Sequence, residues 1–302
     1  MNSDTAAHIL ITRMNLTKPD PDWFRRRLEP FRKFCVPSVR AQVYQPTCWL
    51  LLFDKDTPPD FCDEVMQGVD GVKLLAESRG GVQEIKAWIR ANISTPWVIT
   101  TRLDSDDARH PQYLSDMQQG SRPKVELLDL PSGWALYMGR VFNWRWTSNF
   151  VSLVERNNAE MLTVNDGPHN TLKKRFPYRV VNEKRRWLYV LHGNNILGEN
   201  KIRDFAHKSA EVSTQIIDRE FRGITLGTGE SSQLTKPKLS SVKRVDSTKT
   251  HDATKRKTYE RDVKRKVSPE LFAKISEAKR NRSRIKAILE HTRRDNRPAS
   301  RT

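Results

Sequence analysis

Long apolar stretches are scarce in this chain of 302 residues. The longest, CWLLLF from Cys48 to Phe53, is far shorter than the roughly 20 apolar residues that a membrane-spanning helix needs. The N-terminus also lacks the basic segment and the long apolar segment of a secretory leader. We therefore expect neither a transmembrane segment nor a secretory leader.

Cysteine is scarce as well, and several common catalytic motifs are absent. The three cysteines, at positions 35, 48 and 62, lack CxxC spacing, which predicts reduced thiols in a cytoplasmic protein. The chain contains no GxGxxG, no GxxxxGK followed by Ser or Thr, no GxSxG and no HExxH. These absences argue against dinucleotide binding, P-loop ATPase activity, and the common hydrolase and zinc-protease chemistries.

Acidic residues are too few to balance the basic ones, and the imbalance is concentrated at one end. The net charge is +18, yet residues 234–302 alone hold 22 Lys or Arg against 8 Asp or Glu. We predict a folded domain over 1–230, a disordered basic linker over 231–267, and a basic amphipathic helix with a frayed end over 268–302. Such a tail would bind a polyanion, such as DNA or an anionic membrane surface.

Short apolar segments alternate with helical patterns in the first hundred residues. Pro30 kinks or ends the first helical pattern, and Gly80 and Gly81 precede the last one. Four strands alternating with helices predict a mainly parallel α/β sheet, whose ligands bind beyond the carboxyl ends of the strands. The predicted strands are 8–15, 48–53, 72–76 and 97–101.

The following hundred residues have a different pattern. Two apolar runs, 125–130 and 134–138, flank the Pro131-Ser132-Gly133 sequence, which predicts a β-hairpin with its turn at these three residues. A further strand is predicted over Trp187–Leu191. The second half of the domain is therefore expected to be a mixed, largely antiparallel region.

The strongest chemical signal is the segment WVITTRLDSDDA at 97–108. A buried strand runs directly into Asp104, Asp106 and Asp107. Closely spaced carboxylates after a strand suit a hard cation such as Mg²⁺ or Mn²⁺, which can bridge the phosphates of a nucleotide. The alternative is an Asp-rich turn or a helix cap without a ligand.

Four segments together resemble the family described as putative rhamnosyltransferases. They are HILITRMNL from residue 8, WLLLFDKDTP from residue 49, TTRLDSDDA from residue 100 and WLYVLHGNNI from residue 187. The resemblance implies a GT-A-like fold, with a mainly parallel Rossmann-type sheet and a mixed second half. It also implies a glycosyltransferase that moves a sugar from a nucleoside-diphosphate sugar to a hydroxyl acceptor. The resemblance does not extend to the tail.

The resemblance assigns roles to individual residues. Asp106 would bind the metal, with Asp104 nearer the ribose or the metal's waters, and Asp107 would support them or contact the sugar. His192 would complete the metal site, and its imidazole favours Mn²⁺ over Mg²⁺. Arg13 and Asn15, which follow the first strand, would hold the nucleotide.

Arg102 is a further candidate for the diphosphate, because its fork of donors matches phosphate oxygens. An inverting enzyme also needs a general base, and the NDGPHN loop offers Asp166 as first choice and His169 as second. This sequence also favours a plain turn. Five aromatic residues could stack on a sugar, although core packing is the alternative: Trp134, Tyr137, Phe142, Trp144 and Trp146.

Three other functions stay open at this point. The chain could be a nucleic-acid-binding protein whose α/β domain is only a scaffold. It could be a glycosyltransferase that acts on modified DNA through its basic tail. Clustered carboxylates also serve metal-dependent nucleases and nucleotidyltransferases.

Overall fold

The computed structural model describes residues 6–15, 21–77, 80–147, 150–191 and 210–226. Twelve strands lie in these ranges: β1 (Ala6–Arg13), β2 (Cys48–Asp54), β3 (Val72–Ala76), β4 (Trp97–Asp104), β5 (Ala108–Arg109), β6 (Glu126–Asp129), β7 (Ser132–Tyr137), β8 (Arg140–Arg145), β9 (Val151–Arg156), β10 (Tyr178–Val180), β11 (Trp187–Leu191) and β12 (Glu211–Val212). The predicted linker at 231–267 and the helix at 268–302 lie outside the described residues.

The described helices are short. They are α1 (Pro21–Pro30), α2 (Val36–Arg40), α3 (Pro59–Met66), α4 (Val82–Asn92), α5 (Tyr113–Gly120), α6 (His169–Leu172) and α7 (Gln215–Glu220). A π-helical turn, Phe31–Cys35, joins α1 to α2 directly after Pro30. The proline thus ends the regular α-helix, as expected from its missing amide hydrogen.

A seven-stranded sheet forms the centre of the described domain, in the order β10-β6-β9-β4-β1-β2-β3. The four strands predicted from the first hundred residues pair in parallel as β4-β1-β2-β3. Strand β9 runs antiparallel to both β4 and β6. The predicted fold class, a mainly parallel α/β sheet with a mixed second half, is therefore confirmed.

The two faces of this sheet are covered by different helices. Leu10 and Leu51 pack with the α1–α3 and α5 side, whereas Ile9, Leu50 and Ile85 pack on the α4 side. All five side chains are at most 1% exposed. Alternation of this kind follows from the two-residue repeat of a strand, and both faces are buried, as is usual for parallel sheets.

The predicted hairpin over 125–138 is wrong. Strand β6 belongs to the seven-stranded sheet, whereas β7 belongs to a second, five-stranded sheet of order β12-β8-β7-β11-β5. The hairpin of this region joins β7 to β8 through Met138 and Gly139, which both have positive φ (51° and 75°). Positive φ at both central residues matches the twist of paired strands.

Gly133 has a packing role instead of a turn role. A Cβ atom at this position would lie 2.2 Å from the ring of Trp187, so only glycine lets β7 approach that indole. Trp187 is fully buried and its ring stacks on Phe150 at 4.2 Å between centroids. The Pro-Ser-Gly sequence therefore marks a crossing between two sheets.

Candidate functional site

The carboxyl ends of β1 and β4 coincide, because Arg13 and Asp104 are register partners. The carboxylate of Asp104 is 35% exposed and receives hydrogen bonds from Arg102 Nε at 2.9 Å and Nη2 at 3.2 Å. Arg13 Nη2 lies 3.8 Å from its Oδ1. Burial alone would raise the pKa of Asp104, but the Arg102 and Arg13 guanidinium groups outweigh it and hold the pKa well below its usual range.

The chain turns sharply after Asp104, since the amide of Asp107 donates to the Asp104 carbonyl at 3.1 Å. We call residues 104–107 the acidic turn. Within it, Asp106 is buried and its Oδ2 lies 2.8 Å from Nη1 of Arg27 on α1. Nη2 of the same guanidinium donates to Ser105 Oγ at 3.0 Å. The turn is therefore held by an arginine almost 80 positions earlier in the chain.

Asp107 connects the acidic turn to the second sheet. The Val190 amide on β11 donates to its Oδ1 at 3.0 Å, and the residue has no exposed surface. Oδ2 is buried without a hydrogen-bond partner among the described residues. Burial, together with the negative charges of Asp106 and Asp104, raises the pKa of Asp107 well above its usual value. Of the two roles predicted for Asp107, the geometry suits support of the other aspartates.

A second buried arginine lies behind the turn. Arg109 on β5 is 2% exposed, and its Nη2 donates to the carbonyl of Arg102 at 2.7 Å. Its guanidinium carbon lies 4.8 Å from the ring centroid of Tyr113 and 4.5 Å from that of Phe150. Cation–π contacts of this kind stabilise a buried guanidinium. Arg109 thus fixes the backbone from which Asp104 projects.

Sequence reasoning missed both Arg27 and Arg109. A signal existed for Arg27, because helical spacing places it on the same face as Phe24 and Phe31, which are buried. An arginine on the apolar face of a helix requires a buried acidic or polar partner. No comparable pattern surrounds Arg109, whose two-residue strand is too short to show a period.

Asn15 lies at the same edge of the sheet. Its Nδ2 donates to Thr57 Oγ1 at 2.7 Å, and its Oδ1 accepts from the Asp54 amide at 3.1 Å. The residue is 2% exposed. These bonds tie the end of β1 to the end of β2, so the structure gives Asn15 a role in shaping the edge. Its contact with a nucleotide stays a prediction.

The predicted base, Asp166, lies in a loop on the α4 side of the sheet, which we call the 163–167 loop. The Val164 amide donates to Thr100 Oγ1 at 3.0 Å, and Asn165 Nδ2 donates to the Gly80 carbonyl at 3.1 Å. Asp166 Oδ2 lies 3.5 Å from Arg175 Nη2. His169 begins α6, with Pro168 between this loop and the helix.

The remaining predicted site residues are His192 and the five aromatic residues. His192 follows β11 by one position and lies outside the described residues. The five predicted aromatic residues do not form one cluster: Trp134 packs on Phe221, whereas Trp146 packs on Tyr189 at 5.4 Å between centroids. Within the described ranges, no three His, Cys, Asp or Glu side chains form a group that could hold a metal ion.

No helix in the described part of the chain is long and apolar enough to cross a membrane.

Comparisons with known proteins give a family match and distant structural likenesses. A fragment of TarS from S. aureus, solved with UDP, matches with TM-score 0.38 and 13% identity over 61% of this chain and 60% of that one. A protein from Desulfovibrio desulfuricans G20, described as a "putative nucleotide-diphospho-sugar transferase", matches with TM-score 0.37 and 11% identity over 73% of this chain and 98% of that one. The chain thus spans about three fifths of the TarS fragment. No curated protein matches it.

The family match rests on sequence. The model of the family described as "Putative rhamnosyl transferase" matches residues 8–204, which is more than half of the chain and includes both the acidic turn and the 163–167 loop. The chain belongs to this family of glycosyltransferases.

Proposed function

We propose that the chain is a metal-dependent glycosyltransferase that moves a sugar from a nucleoside-diphosphate sugar to a hydroxyl acceptor. The observation that carries the proposal is the acidic turn at the carboxyl edge of the parallel strands, with arginines from β1, β4 and α1 around it. Ligands of parallel α/β sheets bind at this edge. The rhamnosyl group is a family label, and the sugar itself is left open.

Arg13 and Arg102 are the proposed diphosphate-binding residues. Their side chains are 29% and 12% exposed, and both lie within 4 Å of Asp104 at the sheet edge. Guanidinium groups offer paired donors that match phosphate oxygens. In this arrangement, Asp104 orients the two arginines before the donor arrives, so less ordering accompanies binding.

The donor set of the acidic turn fits a divalent cation that keeps open positions. Asp104 and Asp106 present hard carboxylate oxygens, as Mg²⁺ and Mn²⁺ prefer, and the low pKa of Asp104 keeps it ionised. Diphosphate oxygens, water and, as proposed, His192 would supply the other ligands. A bound cation would neutralise the charge that develops on the leaving diphosphate.

Activation of the acceptor hydroxyl is proposed for the 163–167 loop. The Asp166 carboxylate is 30% exposed, so it can accept a proton from a bound hydroxyl, and Arg175 Nη2 lies 3.5 Å from its Oδ2. His169 is the second choice for this step. A retaining enzyme would not need either residue as a base.

A donor screen tests the proposal. We expect the full chain to release a nucleoside diphosphate from at least one of UDP-glucose, UDP-N-acetylglucosamine, GDP-mannose and dTDP-rhamnose in the presence of Mn²⁺ or Mg²⁺. Excess chelator should abolish the release. Full turnover in chelator would contradict metal dependence, and cleavage of plasmid DNA with the same cations would favour a nuclease instead.

The basic segment 234–302 is proposed to bind a polyanion, either DNA or an anionic membrane surface. Its 22 basic against 8 acidic residues support binding by counterion release. The affinity of the full chain for duplex DNA and for phosphatidylserine vesicles should fall steeply as salt is raised. Affinity that does not depend on salt would contradict this proposal.

A further inference from the structure

Asp106 already has a positively charged partner inside the protein. Arg27 Nη1 lies 2.8 Å from Asp106 Oδ2, and the two side chains are only 9% and 6% exposed. Ser105 Oγ accepts a hydrogen bond from the second nitrogen of the same guanidinium. A pair so far removed from water is screened little by salt, so each charge strongly affects what else can bind to the other.

Packing keeps the Arg27 guanidinium at this place. Arg27 and Leu28 lie on the buried face of α1 with Phe24, which is 2% exposed. Phe31, which begins the following π-helical turn, is 0% exposed. The two hydrogen-bonding nitrogens of Arg27 contact the acidic turn, at Asp106 and Ser105, and the Arg27 side chain is only 9% exposed. A cation that binds to Asp106 therefore meets a fixed positive charge.

This arrangement has a consequence for the order of binding. Arg27 and a divalent cation both need the Asp106 carboxylate, and their charges repel each other. A bound diphosphate reduces this repulsion, because its negatively charged oxygens can interact with both the Arg27 guanidinium and the cation. The two positive groups can then share the site, with the diphosphate between or beside them.

We propose that Arg27 is a positioning residue that couples the binding of the divalent cation to the binding of the donor's diphosphate. The inference rests on the proposed function and deepens it. Arg27 keeps the affinity for the cation low while the diphosphate is absent, and it becomes compatible with the cation once the diphosphate is bound. By linkage, the cation raises the affinity for the diphosphate by the same factor.

The experiment measures Mn²⁺ affinity directly, by the loss of the electron paramagnetic resonance signal of free Mn²⁺. Titrations use the full chain alone and with UDP, ADP, GDP or dTDP. The variants are Arg27→Met, which removes the charge, and Arg27→Lys, which keeps it. Arg26→Met is the matched control, because Arg26 is an exposed neighbour on the same helix.

We expect Arg27→Met to bind Mn²⁺ alone about tenfold more tightly than the wild type, within the usual range of coupling between sites. The gain in Mn²⁺ affinity on adding the preferred nucleoside diphosphate should shrink by a similar factor. Arg27→Lys and Arg26→Met should resemble the wild type in Mn²⁺ affinity. Circular dichroism checks the fold, and Arg27→Gln replaces Arg27→Met if the latter does not fold.

Unchanged or weaker Mn²⁺ binding in a folded, uncharged Arg27 variant would overturn the inference. If the wild type still releases a nucleoside diphosphate from a sugar donor in a metal-dependent way, the proposed function stands without the inference about Arg27. A wild type that binds Mn²⁺ neither alone nor with any of the four nucleotides would overturn both. The two failures are thus distinguished by the same set of titrations and the donor screen.

Discussion

The acidic turn and the 163–167 loop both follow a strand of the same sheet, and both carry aspartates, yet they are held in different ways. Asp106 is paired with a buried arginine from another helix, and Asp107 is bonded to a strand of the second sheet. Asp166 is paired with Arg175, only nine positions further along the chain, and both side chains are partly exposed at 30% and 40%. The aspartates of the acidic turn are thus bonded to distant, buried partners. The 163–167 loop also has long-range backbone anchors, at Thr100 and Gly80, but its Asp166 side chain has a local and partly exposed partner.

This difference indicates a division of labour. A site for a charged diphosphate gains from side chains that are ordered before binding, because fewer groups must then be immobilised. A residue that removes a proton needs access to the acceptor more than a rigid frame. The comparison therefore predicts that variants of the aspartates in the acidic turn change both stability and activity, whereas variants of Asp166 change activity alone.

The largest effect is expected for Asp106→Asn. Loss of the carboxylate should lower donor turnover at least about 1,000-fold, because charge stabilisation at the diphosphate is lost. It should also lower the free energy of unfolding by about 3–5 kcal/mol, since the buried ion pair between Asp106 and Arg27 is lost. Product release and urea unfolding measure the two effects.

The double variant Asp106→Asn/Arg27→Gln separates the effect on donor turnover from the effect on stability. It should recover most of the lost stability while remaining inactive. Asp56→Asn is the matched control, since Asp56 follows β2 at the same sheet edge and its side chain is 71% exposed. Wild-type turnover in either Asp106 variant would contradict the assigned site.

The next effect concerns the 163–167 loop. We expect Asp166→Asn to lower sugar transfer about 100-fold or more, the usual contribution of a general base. Donor affinity and the melting temperature should change little, because the lost ion pair is partly exposed. Transfer assays and thermal unfolding check this prediction. Equal losses of transfer and of donor binding would assign Asp166 to the donor site instead.

A third variant disturbs the contact between the second sheet and the acidic turn. Gly133→Ala places a Cβ atom against the buried ring of Trp187, so β11 must shift. Overpacking of this kind costs about 1–3 kcal/mol. Since Val190 on β11 bonds to Asp107, donor affinity should also fall. Urea unfolding and donor titration measure the two effects, and an unchanged free energy of unfolding would contradict the described packing.

The smallest expected effect is a dependence of stability on pH. Burial lowers the pKa of His8 from 6.5 to about 3, and the Gln118 side chain partly opposes this shift. The unfolded chain therefore binds a proton at His8 that the folded chain excludes, and stability falls as pH drops from 6.5 towards 3. In urea unfolding, His8→Gln should reduce this slope by up to about 1.4 kcal/mol per pH unit.

Glu155, which accepts a hydrogen bond from the backbone next to the 163–167 loop, makes stability change with pH in the opposite direction to His8. Burial raises the pKa of Glu155 from 4.5 to about 7. Its contribution to the free energy of unfolding is therefore present at low pH and is lost as pH rises through about 7. Glu155→Gln should therefore make stability rise more steeply between pH 4.5 and 7. If both variants changed the slope in the same direction, the burial of one of these groups would be wrongly assigned.

Local patterns were enough to predict most of the parallel sheet. Strand β3 matches its predicted bounds, and β1, β2 and β4 differ by a few residues at their ends. Their apolar runs are continuous because both faces of the sheet are buried. Position after a strand likewise placed Asp104 at the edge where Arg13 meets it, since that relation follows from the parallel arrangement itself.

The misses share a physical cause, which is contact between distant parts of the chain. Gly133 serves a close approach to Trp187, 54 positions away, so its neighbours resembled a turn. The partners of Arg27 and Asp107 lie on other elements, and no local pattern shows which buried charges will meet. The position of Asp104 at the sheet edge was predictable, whereas the groups that hold the acidic turn in place required the structure.

The most direct test of the central claim is a calorimetric titration of UDP, ADP, GDP and dTDP into the full chain, with Mn²⁺ and with chelator. The double variant Asp104→Asn/Asp106→Asn is titrated in parallel. At least one nucleotide should bind the wild type with Mn²⁺, and its affinity should fall at least about tenfold in chelator and in the variant. Equal affinity under all three conditions would show that the acidic turn does not hold the donor.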